Sequence, residues 1–105
     1  MKRLSTHVLD TSSGKPAGGV PVKLYQDDRE LCAGVTDADG RCQNLFPHGL
    51  TIGPGIYRLV FHVSALFPQG LYPEVAISFK VSTEAEHYHI PLLISPFGYT
   101  TYRGS

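Results

Sequence analysis

The sequence predicts an all-β fold: a two-sheet sandwich of seven or eight short strands with one short helix. Three observations carry this. Eleven Gly and eight Pro among 105 residues cut the chain into short segments. Several of those segments alternate apolar and polar side chains with a period of two, as half-buried strands do. Hydrophobic residues reach 42%, which supplies a core, yet no long stretch carries the period of an amphipathic helix.

The elements follow in order. Leu4 to Asp10 places Leu4, Thr6 and Val8 on one side and Ser5, His7 and Leu9 on the other, and Gly14-Lys15-Pro16 and Gly18-Gly19 then break the chain. Val20 to Tyr25 alternates again, and Gln26 to Glu30 is a polar turn. Leu31 to Val35 and Arg41 to Leu45 flank Asp37-Ala38-Asp39-Gly40, which predicts a hairpin with Gly40 at positive φ. Ile56 to Val63 is β-rich, and Val75, Ile77, Phe79 and Val81 alternate strictly with Ala76, Ser78 and Lys80. Ile90 to Ile94 is almost wholly apolar, the pattern of a strand covered on both faces. Ser95-Pro96-Phe97-Gly98 turns into a last strand, Tyr99 to Arg103. The helix candidate is Ser64 to Gln69, one turn at most because Pro68 sits inside it. No linker, repeat or low-complexity tract divides residues 1–105, so a single domain is expected.

Composition narrows the function. Nine Lys and Arg balance nine Asp and Glu, so the basic excess of a nucleic-acid binder is missing. No apolar run approaches the roughly 20 residues that cross a bilayer. The opening Met1 to His7 has no apolar stretch behind its basic residues, so a cytoplasmic protein is expected. Cys32 and Cys42 form no CxxC pair and read as small core or surface residues. A near-neutral chain of this size gains little from charge repulsion, so association is unsurprising.

Five histidines remain. His87 and His89 share one strand face, and a His-x-His pair could hold a metal given a third ligand. His7 supplies that ligand only if the first and penultimate strands meet, and Glu84 and Glu86 precede the strand in a loop, so no metal site is expected. There is no Gly-x-Ser-x-Gly elbow, and Gly53-Pro54-Gly55 lacks the helix that a phosphate cradle needs. Acid–base chemistry is left, because histidine exchanges protons near neutral pH and arginine suits an oxyanion or an anionic substrate. An isolated strand histidine is more often a surface or hydrogen-bonded structural residue than a catalyst, and His48, in a loop after Pro47, and His62 read as structural.

The ends of the chain sharpen this. Leu4-Ser5-Thr6-His7-Val8-Leu9-Asp10 with Gly14-Lys15-Pro16-Ala17 resembles the opening of the transthyretin-related 5-hydroxyisourate hydrolases. His87-Tyr88-His89-Ile90-Pro91-Leu92-Leu93, Ser95-Pro96-Phe97-Gly98-Tyr99 and the terminal Tyr102-Arg103-Gly104-Ser105 resemble their closing segments, and Thr36 to Arg41 resembles their central hairpin. The Tyr-Arg-Gly-Ser end is the specific part, since transthyretin shares the fold without it. The resemblance implies a transthyretin-like eight-stranded sandwich, a homotetramer of two dimers enclosing a channel, and hydrolysis of 5-hydroxyisourate to 2-oxo-4-hydroxy-4-carboxy-5-ureidoimidazoline in urate degradation, with no cofactor. Carried onto this chain, it assigns catalysis to His7, Arg41 and His89 and the substrate pocket to Tyr102, Arg103, Gly104 and Ser105, with His87 at the channel mouth or supporting His89. The segment from Val63 to Pro73 is shorter than the family's helix and loop, which leaves the helix length open. The competing readings are a transthyretin-like carrier of a small aromatic ligand and an immunoglobulin-like adhesion or sugar-binding module.

Overall fold

The computed structural model describes residues 3–42, 52–83 and 87–104. Its strands are β1 (Arg3–Asp10), β2 (Lys15–Pro16), β3 (Pro21–Gln26), β4 (Arg29–Val35), β5 (Gly55–Phe61), β6 (Val75–Val81), β7 (His87–Ser95) and β8 (Gly98–Thr101). They form two four-stranded sheets, ordered β2-β1-β7-β8 and β4-β3-β5-β6. The β1–β7 pair is parallel and the others are antiparallel.

The period-two pattern explains the core. Leu4, Thr6 and Val8 of β1 and Tyr88, Ile90, Leu92 and Ile94 of β7 face inward and are buried. Val22 and Leu24 of β3 and Tyr57, Leu59 and Phe61 of β5 meet them from the other sheet. The alternation read in β6 is also present: Val75 and Val81 are buried, Ile77 and Phe79 half-buried, and Ala76, Ser78 and Lys80 exposed. Among the described residues no helix is long and apolar enough to cross a membrane.

The structure corrects the sequence expectations in several places. The turn Asp37 to Gly40 is present, with Gly40 at φ +76°, but among the described residues nothing after it pairs with β4. Arg41 pairs instead with His7 of β1, in the other sheet. Thr36 and Asp37 explain the crossing. Buried Thr36 Oγ1 accepts from the Val20 amide (2.9 Å) and donates to the Ala17 carbonyl (2.8 Å). Asp37 Oδ1 accepts from the Asp39 and Arg41 amides (2.9 and 3.0 Å). Residues 43–45 of the expected strand lie outside the described residues, as do His48, Glu84, Glu86 and Ser105. The helix reduces to a 3-10 turn at Val63–Ala65, closed by Leu66 and Phe67 amides on the Val63 carbonyl before Pro68 stops it. The penultimate strand, β7, begins at His87, as the placing of His87 and His89 on one strand face expects, while β8 ends at Thr101 and β2 lies where a break was read.

Candidate active site

The parallel register of β1 and β7 sets Ser5 beside His89, His7 beside Pro91 and Arg3 beside His87. Inward residues on both strands take the even positions, so Ser5, His7, His87 and His89 share the outer face of the sheet. Two residues about 80 positions apart in the chain thereby become neighbours. Ser5 Oγ lies 2.8 Å from His89 Nδ1 and 3.0 Å from His87 Nε2.

The crossover turn delivers the third component. The Val8 amide donates to the Gly40 carbonyl and the Asp37 amide to the Arg41 carbonyl, both at 2.8 Å. Gly40 is required here twice over, because φ is positive and a side chain would run into the Val8 carbonyl oxygen. His7 Nε2 donates to the Asp39 carbonyl oxygen at 2.8 Å. A carbonyl only accepts, so neutral His7 carries its proton on Nε2 and leaves Nδ1 as the basic nitrogen.

Gly104 closes the site from the other side. Its amide donates to the His89 carbonyl at 2.8 Å, and the His89–Gly104 bridge keeps the register of Leu92 with Thr101. A Cβ at Gly104 would collide with Cδ2 of the His89 ring. His89 has its pKa held below the ordinary 6.5, first by burial and then by the nearby charges of His87, His7 and Arg41. Its neutral form therefore persists to lower pH than that of a free histidine.

The structure brings together His7, Arg41, His89, His87 and Gly104. It places Arg103 elsewhere: the guanidinium stacks 4.7 Å from the Tyr88 ring, and the register puts Arg103 opposite inward-facing Ile90. Arg103 and Tyr102 line a cleft with Ile77, Phe79 and Tyr88 at the open edge between the sheets. His62 lies outside the cluster, its Nε2 buried without a hydrogen-bond partner. Cys32 and Cys42 are free and buried. Burial, with Cys42 and Glu30 nearby, pushes the Cys32 thiol up to about 11, and burial and Asp37 raise Cys42. Neither is an activated nucleophile. Sequence reasoning missed Ser5, although its place two residues before His7 put it on the same face.

Fold and site together define a class: a two-sheet β-sandwich that gathers three histidines and an arginine at one outer sheet face. The family model described as HIUase/Transthyretin family matches residues 4–104, and the chain belongs to that family. It is 47% identical to a 5-hydroxyisourate hydrolase of Mesorhizobium japonicum, over 98% of this chain and 92% of the relative. The structure of Klebsiella pneumoniae 5-hydroxyisourate hydrolase is similar with a TM-score of 0.88 and 37% identity, covering 100% of this chain and 94% of that one. Transthyretin from Sparus aurata follows the same fold, with a TM-score of 0.86 and 32% identity over 96% and 95% of the two chains.

Proposed function

We propose that this chain hydrolyses 5-hydroxyisourate to 2-oxo-4-hydroxy-4-carboxy-5-ureidoimidazoline, as a urate-degradation enzyme. The observation that carries the reading is the convergence of His7, Arg41 and His89 on one sheet face, in a chain 47% identical to a protein of that name. The chemistry fits these groups. One neutral imidazole removes a proton from water as its oxygen adds to the ring acyl carbon, a contribution of about 10²–10⁴ in rate. Arg41, always cationic, stabilises the tetrahedral oxyanion. The carbon–nitrogen bond then breaks, and the proton taken from water is returned from the imidazolium to the departing nitrogen. Water is consumed: its oxygen enters the new carboxyl group, one hydrogen ends on the departed nitrogen, and the other leaves as the carboxyl group ionises.

The reading extends to Tyr102, Gly104 and Ser105 as the wall of the substrate pocket, supported by the contact of Gly104 with His89, whereas Arg103, stacked on Tyr88, faces the cleft between the sheets. It also extends to a homotetramer. The site lies on an open sheet face, where Leu9 and Leu93 stand in register and half-buried beside the histidines. A second copy over that face would close the site from water, which strengthens every electrostatic interaction inside it.

An ultraviolet time course on 5-hydroxyisourate freshly generated from urate tests the reading. Added protein should speed substrate decay, and His89→Ala should lose most of that acceleration, about 10²-fold or more, with its assembly unchanged. No acceleration by the wild-type tetramer would sink the hydrolase reading and favour the carrier.

A further inference from the structure

We propose that Ser5 and His87 form a proton relay behind His89, with the Ser5 hydroxyl as the positioning group that selects the His89 tautomer. The inference rests on the hydrolase reading and deepens it. Its basis is the bridging hydroxyl itself, 2.8 Å from His89 Nδ1 and 3.0 Å from His87 Nε2.

A serine hydroxyl has one proton to give and lone pairs to receive. Between two neutral imidazoles it therefore accepts from one and donates to the other. In the first arrangement His89 Nδ1–H donates to Ser5 Oγ, and the Ser5 proton points to His87 Nε2. His89 Nε2 is then unprotonated and ready to act as base. In the second, His87 Nε2–H donates to Ser5, which donates to His89 Nδ1, and Nε2 of His89 carries the proton.

Water activation connects the two. A water O–H bond breaks and an Nε2–H bond forms on His89. The His89 Nδ1 proton passes to Ser5 Oγ, and the Ser5 proton passes to His87 Nε2. His89 ends neutral in its other tautomer, Ser5 is unchanged, and His87 holds the positive charge with both nitrogens protonated. Reversal of the path returns the proton for the departing nitrogen.

Burial decides why the charge moves. His87 is exposed and His89 half-buried, so an imidazolium at His87 keeps its hydration. His7 of β1, Arg41 of the crossover turn and His87 itself all oppose a charge on His89. Arg3, in register with His87, opposes charge there, but both side chains are exposed and screened by water. Tyr102 follows β8 and is exposed.

The test joins spectroscopy to kinetics. Histidine ¹⁵N shifts in wild type should show His89 protonated on Nδ1, and Ser5→Ala should shift it toward the Nε2–H form. Ser5→Ala should lower kcat about 10–100-fold with KM nearly unchanged, the pattern of an interaction made in the transition state. Ser5→Thr, which keeps the hydroxyl and suits a strand, should recover activity to within about threefold. Ser5→Ala combined with His87→Ala should be no slower than Ser5→Ala alone, because the relay is already cut. An unchanged His89 tautomer in Ser5→Ala, an unchanged kcat, or multiplicative losses in the double variant would each overturn the relay. The tautomer comparison needs no turnover, so it decides the relay even if wild type fails to hydrolyse the substrate.

Discussion

At the scale of single residues, Gly104 shows how little room the site leaves. Its φ is not in the left-handed region, so any L residue fits the backbone; the obstruction is the His89 ring, which a Cβ would strike at Cδ2. Gly104→Ala must therefore turn the imidazole or lift the terminal segment off β7, and either displaces the proposed base. Misplacement on the order of 1 Å can cost about 10² in rate. The expected outcome is a fall of that size in kcat/KM with far-UV circular dichroism and Tm close to wild type. Unchanged kinetics would mean that the His89 ring position is not used. The histidines themselves were legible by type and by face, since period two alone groups His87 with His89 and Ser5 with His7. Their meeting was not, because a parallel register between strands about 80 residues apart leaves no local trace. Arg41 and Gly104 came from the resemblance at the chain's motifs and not from spacing.

At the scale of elements, the turn after β4 carries the main lesson. Asp37-Ala38-Asp39-Gly40 has the chemistry of a tight turn, and the turn exists, but turn chemistry says nothing about which strand comes next. The chain crosses to the other sheet because Thr36 is buried at 4% exposure with both hydrogen-bonding capacities of its hydroxyl used, on the Val20 amide and the Ala17 carbonyl. Thr36→Val keeps the shape and removes both partners, leaving a buried N–H and C=O unpaired at about 1–3 kcal/mol each. A loss of about 2–6 kcal/mol is expected from urea denaturation, seen as a lower midpoint with the slope unchanged. Thr36→Ser, which retains the hydroxyl, should lose less. Equal losses in the two variants would show that the methyl group, and not the hydrogen bonds, holds the crossover. Strand β6 was legible from its strict alternation and β5 and β7 from β-rich and continuous apolar runs, whereas the two-residue β2 is too short to carry a period.

At the scale of the whole molecule, the two faces of the β2-β1-β7-β8 sheet differ in what they ask of their surroundings. The inner face is satisfied by the other sheet. The outer face presents a polar histidine cluster beside Leu9 and Leu93, paired in register and only half covered. Exposed Phe97 (73%) and Tyr102 (57%) flank β8, the strand at the sheet's edge. A formal net charge of zero offers no general repulsion between copies. The proposed tetramer accounts for all three features, and Leu93→Glu tests it. A carboxylate there costs a lone subunit little, because the side chain already reaches water, but facing a second copy it is desolvated without a partner. Light scattering should give wild type four times the 11.5 kDa chain mass and the variant a smaller folded species with reduced turnover. If Leu93→Glu keeps the wild-type mass, this sheet face is not where the copies meet, and the site must exclude water by another means.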